Sequence, residues 1–150
     1  MMFMFVVKRF SVQDQVLAEQ AFAIRNEVFV QEQGIAAALE YDREEESHHY
    51  LLFLGDQPLA TARWRATEKG IKLERFAVRR PFRNQGIGAV LLKEILSDVS
   101  APGKMIYLHA QLRSVTFYER NGFSKVGRQF AEAGIAHFLM QHAEPPPPVS

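Results

Sequence analysis

Leu73-Glu74-Arg75-Phe76-Ala77-Val78 and, after a short gap, Arg83-Asn84-Gln85-Gly86-Ile87-Gly88-Ala89 form the stretch that decides the fold. The first part is an apolar run with strand character. The second is a basic turn with two glycines. Beyond it Ile87, Leu91, Ile95 and Val99 fall four apart, with Leu92 and Leu96 widening the stripe, which predicts an amphipathic helix over Gly88 to Val99. Glycine brings backbone close to a ligand and accepts positive φ. The first N–H groups of a helix lack internal acceptors, and the macrodipole adds partial positive charge there. A strand, a basic glycine turn and a helix start therefore predict an anion cradle, with phosphate as its guest.

The residues after the turn narrow the choice of phosphate compound. A Walker loop would place Gly-Lys-Ser/Thr at the helix start, but Gly88 is followed by Ala89 and Val90. A dinucleotide fingerprint would need a small residue where Leu91 stands. What remains is the pattern R-x-x-G-x-G after a strand.

The rest of the chain supplies the setting. At 150 residues, 47% hydrophobic and 23% charged, it has the composition of one ordinary soluble domain. We read residues 1–143 as that single domain, and the Pro-rich residues 144–150 as an extended disordered tail. A net charge of +1 provides no general field for nucleic acid. The absence of cysteine excludes a thiolate nucleophile and a Cys-based metal site, and the five histidines lack ligand spacing, so no metal is expected. Nothing approaches a membrane span or a secretion signal, so a cytoplasmic location is the expectation.

Elements follow from periodicity and turn chemistry. Phe3 to Arg9 reads as a strand. Val12 to Phe29 reads as a helix, with Ser11 as N-cap and Asp14 as its capping partner. Ile35 to Leu39 reads as a short second helix, and Glu40 to Ser47 as an acidic connection, either a solvated loop or a rim attractive to a cationic amine. Strands are expected at His49–Leu54, Leu59–Arg65, Ile71–Val78 and Met105–Ala110, with Pro102-Gly103 closing the helix before the last. A last helix, Ser114 to Asn121, ends at Gly122, and Phe123–Phe130 with Ile135–Gln141 reads as a final hairpin. The order β-α-α-β-β-β-α-β-α-β-β predicts an α/β (mixed α+β) fold: a central mixed sheet of about seven strands, with helices on both faces. The unit from Leu73 to Ala110 predicts a parallel crossover.

Several motifs together carry a resemblance. They are the segment quoted first; Leu108-His109-Ala110-Gln111; and Phe117-Tyr118-Glu119-Arg120-Asn121-Gly122-Phe123. With these the chain resembles the GNAT superfamily of N-acetyltransferases, whose acyl-coenzyme-A site carries Q/R-x-x-G-x-G/A. Ile24-Arg25-Asn26-Glu27-Val28-Phe29 with Glu32-Gln33-Gly34, and Gly134-Ile135-Ala136-His137, make it similar to the ElaA-like branch. The resemblance spans roughly Phe3 to His142. Many members carry Asn where Gln111 stands, so that cofactor contact does not carry over unchanged.

The resemblance implies acetyl transfer from acetyl-coenzyme A to a primary amine by direct attack, through a tetrahedral intermediate. Coenzyme A would wedge between the strands ending at Val78 and Ala110. Its pantetheine would pair with the backbone of Phe76, Ala77 and Val78, and its pyrophosphate would sit on Arg83, Asn84, Gln85, Gly86, Ile87, Gly88 and Ala89, with Gln111 alongside. Tyr118 is the expected acid for the leaving thiolate. Glu74, read as alternating with Phe76 and Val78 on one strand face, and His137 are the candidate bases. Arg25, Phe29, Glu32 and Gln33 border the acceptor, a small-molecule or peptide amine. A monomer or homodimer is expected. Two other readings are an acyl-coenzyme-A-binding sensor without turnover and an acyl-homoserine-lactone-synthase-like acyltransferase. Enzymes of the latter kind have a comparable front half, but they are longer and lack R-x-x-G-x-G.

Overall fold

The computed structural model describes residues 4–99 and 103–143, without the side chain of Glu40. The residues expected to form the tail, the start of the first strand at Phe3, and Pro102 lie outside that range.

Seven strands form one sheet in the order β1-β2-β3-β4-β5-β7-β6. They are β1 (Phe5–Phe10), β2 (His48–Leu54), β3 (Gln57–Thr67), β4 (Gly70–Val78), β5 (Ile106–Gln111), β6 (Phe123–Glu132) and β7 (Ile135–His142). Helices α1 (Gln15–Arg25), α2 (Ala37–Glu40), α3 (Ile87–Val99) and α4 (Val115–Arg120) connect them. All neighbouring strands are antiparallel except β4 and β5, the parallel pair joined through α3.

Each face of the sheet buries its own cluster. Leu91, Leu92 and Ile95 of α3 are fully buried with Leu52, Leu73 and Met140 on one face. Ala21 and Ile24 of α1 pack with Leu51, Phe53 and Ala77 on the other. Successive residues of one strand thus feed opposite cores.

The front of the chain differs from expectation. Asp14, not Ser11, caps α1, its Oδ1 accepting from the N–H of Leu17 at 3.2 Å. The helix expected to run to Phe29 is regular only to Arg25. Asn26–Glu32 continues it as a wider, π-type helical segment. At its end Glu32 bonds Arg83 and Gln33 bonds Gln111.

Two irregularities in the sheet shape the site. Thr61 pairs with Ala77 and Arg63 with Glu74, so two steps on β3 span three on β4. The extra residue sits at Arg75, whose φ of +57° marks a bulge. The bulge resets the alternation. Phe76 and Val78 pack with the Leu73 core, while Ala77 belongs to the opposite cluster. Glu74 therefore does not share a face with Phe76 and Val78, contrary to the simple strand alternation. The parallel pairing of β4 with β5 also stops at Leu73 and Leu108. Both strands run on, to Val78 and Gln111, so the sheet is split between them.

Candidate active site

The split opens a cavity of about 280 Å³ whose lining includes Glu74, Phe76, Gln111, Tyr118, Glu132 and His137. It joins two chemically different sides of the sheet. On the α3/α4 side Tyr118 is buried edge to face with Phe76, the ring centroids 6.1 Å apart. Burial raises the Tyr118 pKa well above its ordinary 10, so the phenol is neutral and keeps its proton. On the α1 side the lining is charged, with Phe29 and Ile35 as the apolar wall.

The donor half has the features of a backbone cradle. Asn84 and Gly86 both hold positive φ, +63° and +78°. The N–H of Val90 closes the first helical ring onto the Gly86 carbonyl. The N–H groups of Ile87, Gly88 and Ala89 are then the donors that α3 does not use. At Gly88 an added Cβ would lie 3.3 Å from Phe117 Cζ, so the small residue lets α4 approach the start of α3. The open edge of β4 is equally defined. The Arg79 N–H bonds Leu59 of β3, and alternation turns the N–H and carbonyl of Val78 the other way, into the split. Arg83 Nε donates to that Val78 carbonyl at 2.8 Å. These groups fit a coenzyme-A-type ligand: unpaired edge amides for an extended amide chain, and helix-start N–H groups for its phosphates.

A short strap crosses the mouth of the split. Glu32 takes both terminal nitrogens of Arg83 at 2.9 and 3.0 Å, on the β4 side. Gln33 Oε1 accepts from Gln111 Nε2 at 2.7 Å, on the β5 side. The positive charge of Arg83 is thus met by Glu32, and the anion-binding potential of the turn rests on its N–H groups. Gln85 is exposed and its amide donates to the Pro81 carbonyl at 3.4 Å.

Glu74 is bonded from three sides. Arg65 Nε lies 2.7 Å from Oε1, Lys72 Nζ 3.2 Å from Oε2, and Arg63 reaches Oε1 at 3.1 and 3.2 Å. Burial opposes ionisation of Glu74, but Arg65, Arg63 and Lys72 outweigh it and hold its pKa at about 2. The neighbouring Arg75 bonds Asp42 at 3.0 Å. The acidic connection is likewise engaged: Glu44 bonds Arg25 and Arg63, and Asp42 bonds Arg63 and Arg75. Of the four acceptor-side candidates, only Phe29 lines this cavity. Arg25 is 1% exposed, paired with Glu44 and stacked against Phe22 and Tyr41, where it fixes the loop. Trp64 fills space, donating to the Tyr50 hydroxyl and stacking on His48.

The far wall comes from the β6–β7 hairpin. His137 Nδ1 donates to the Ile135 carbonyl at 2.7 Å, which leaves Nε2 as its basic nitrogen, 3.6 Å from Glu132 Oε2. His109 Nδ1 lies 3.1 Å from Glu132 Oε1. That hydrogen bond lowers the Glu132 pKa against the effect of burial. Sequence reasoning did not single out Glu132 or Lys72. Among the described residues no cluster of His, Asp and Glu could hold a metal ion, and no helix is long and apolar enough to cross a membrane.

Comparison with known proteins agrees with this geometry. Residues 12–143 match the family model described as an acetyltransferase (GNAT) domain. The Bacillus subtilis (strain 168) N-acetyltransferase YjcF, itself uncharacterized, is 36% identical over 127 residues, covering 81% of this chain and 89% of its own. The crystal structure of Escherichia coli ElaA superposes with a TM-score of 0.83 at 23% identity, covering 93% of this chain and all of that one. An aminoglycoside 6'-N-acetyltransferase complexed with coenzyme A gives 0.75 at 17% identity, over 96% of this chain and 99% of its own, and so shares the fold. With a matched domain, a relative above 30% identity and a split sheet beside a glycine turn, the chain belongs to the GNAT family of acyl-coenzyme-A-dependent N-acetyltransferases.

Proposed function

We propose that this protein transfers the acetyl group of acetyl-coenzyme A directly to a primary amine within the split between β4 and β5. The observations that carry the reading are the split between β4 and β5 with Tyr118 in its lining, the free edge of β4 at Val78, and the unused N–H groups at the start of α3, where Gly88 lies against Val78 and Phe117. The donor supplies an activated acyl thioester, and the protein supplies position and electrostatics.

In this mechanism the nitrogen–carbon bond forms first, giving a tetrahedral intermediate, and the carbon–sulfur bond breaks as that intermediate collapses. The Val78 N–H, aimed into the split, receives the carbonyl oxygen as negative charge develops. Tyr118 gives its proton to the departing sulfur and keeps water away through its packing against Phe76. His137 Nε2 takes the proton of the amine. Glu74 already holds three cations, so its part is to fix Arg65 and Lys72. Gln33 and Gln111 close the mouth, and residues 1–143 act as one catalytic domain.

The test is a screen of primary amines with acetyl-coenzyme A, read by thiol release, on the native protein and Tyr118→Phe. The phenol-to-phenyl change should lower kcat on the order of 10²-fold, with acetyl-coenzyme A binding retained. Equal turnover by the two proteins would remove the acid role from Tyr118. Coenzyme A binding with no thiol release for any amine would favour a sensor.

A further inference from the structure

Arg65 and Lys72 face each other across β3 and β4 at the floor of the cavity. Their side chains are only 15% and 14% exposed. Among the described residues the carboxylate that both touch is Glu74, which Arg63 also bonds. The charge of Arg63 is met elsewhere, by Asp42 at 3.0 Å and Glu44 at 2.7 Å. Other carboxylates act on the pair only from farther off. Asp42 and Glu46 influence Arg65 but bond Arg75 and Arg43, and Glu132 influences Lys72 from the histidine wall. Two nearly buried cations thus divide one carboxylate. Cations taken out of water call for an anion of their own. The lining opposite them is of the other kind: Glu132 with His109 and His137.

We propose that the acceptor is a small amine that also carries an anionic group, with the anion on Arg65 and Lys72 and the amine turned toward Glu132, His137 and the split. The inference rests on the acetyl-transfer reading above. A guanidinium beside an ammonium suits either a carboxylate or a phosphonate, since both accept paired hydrogen bonds. A cavity of about 280 Å³ suits an acceptor of amino-acid size. The Glu132 carboxylate attracts the protonated amine, and the imidazole of His137 relieves it of its proton.

The experiment compares acceptors that differ only in the anion. Glycine, β-alanine and 4-aminobutyrate are each paired with their amides, and aminomethylphosphonate with methylamine, under acetyl-coenzyme A with thiol release. The anionic members should have kcat/KM higher by roughly tenfold to a hundredfold, the range for hydrogen bonds to charged groups. The carboxylate and phosphonate arms tell which anion is preferred. Lys72→Met should collapse the acid-to-amide ratio toward one, and Arg65→Gln does the same should the first variant fail to fold. Neutral amines turned over as well as anionic ones, or a ratio unmoved by both variants, would overturn the proposal. A second readout separates its failure from that of acetyl transfer. N-acetyl-β-alanine and its amide are titrated calorimetrically into the protein with coenzyme A present. Preference for the acid, lost in Lys72→Met, supports the anion site even where no amine releases thiol. Equal binding of acid and amide overturns it.

Discussion

Glu74 lies 2.7 Å from Arg65 Nε and 3.2 Å from Lys72 Nζ, and a proton arriving on this carboxylate would weaken both contacts. With a pKa of about 2 it is a weak acceptor for an amine proton at neutral pH. His137 differs in kind: it lines the cavity with one ring nitrogen anchored on the Ile135 carbonyl and the other 3.6 Å from Glu132. The two residues therefore predict different losses. Glu74→Gln keeps the shape but leaves buried cations uncompensated, and should cost about 3–5 kcal/mol of stability in urea unfolding. His137→Asn should lower kcat on the order of 10²-fold with a much smaller stability change. A Glu74→Gln protein of native stability whose kcat has collapsed would return the base role to Glu74.

Among the elements, the glycine turn and α3 were the most legible. Their signals are local: two glycines, a basic residue and a four-residue apolar repeat all lie within one stretch of chain. The seven strands and the order of the helices followed from similar local cues. The bulge at Arg75 had no such cue, because an arginine at φ +57° is held there by sheet pairing on both sides of it. The π-type segment after Arg25 escaped for the same reason, since its apolar spacing is that of an ordinary helix. Glu132 reaches the site only because β7 pairs with β5, placing His137 against Gln111. That is a contact across the sheet which no local pattern announces. The turn also makes a prediction at this scale. Gly86 at φ +78° and Gly55 at φ +61° both have open space where a Cβ would stand. Replacing either by Ala should cost roughly 1–2 kcal/mol, from the left-handed backbone alone. Gly86→Ala should in addition weaken coenzyme A binding about tenfold, because relaxing φ turns helix-start N–H groups away from the phosphates. Gly55→Ala, in the β2–β3 turn, should leave that affinity unchanged in calorimetric titration. Equal affinities for the two variants would separate the turn from the phosphate.

For the molecule as a whole, buried ion pairs tie the acidic connection, β3 and β4 into one network, and this sets how stability depends on pH. Among the described residues four carboxylates have lowered pKa values in the fold. Glu74 is held down by Arg65, Arg63 and Lys72, and Glu44 by Arg25 and Arg63, in both cases against burial. Asp98 is lowered by Arg9, and Glu132 by His109. A group depressed in the fold binds its proton more readily when the chain is unfolded. It contributes stability above the unfolded pKa, and that contribution disappears as pH falls toward the folded value. For Glu74 the window runs from the ordinary 4.5 down to about 2, a contribution of ~3 kcal/mol. His49 acts in the same direction at higher pH. Burial lowers its pKa from the ordinary 6.5, so the unfolded chain takes up a proton that the fold refuses. Stability should therefore fall in two stages, gently below about pH 6.5 and steeply below about pH 5. Urea unfolding from pH 8 to pH 3 on the native protein and Glu74→Gln measures it. The variant, already lower at pH 7, should lose less on acidification, so that the two curves converge toward pH 3. Parallel curves across that range would mean that Glu74 titrates alike in the folded and unfolded chain, and the network would not be the source of the acid sensitivity.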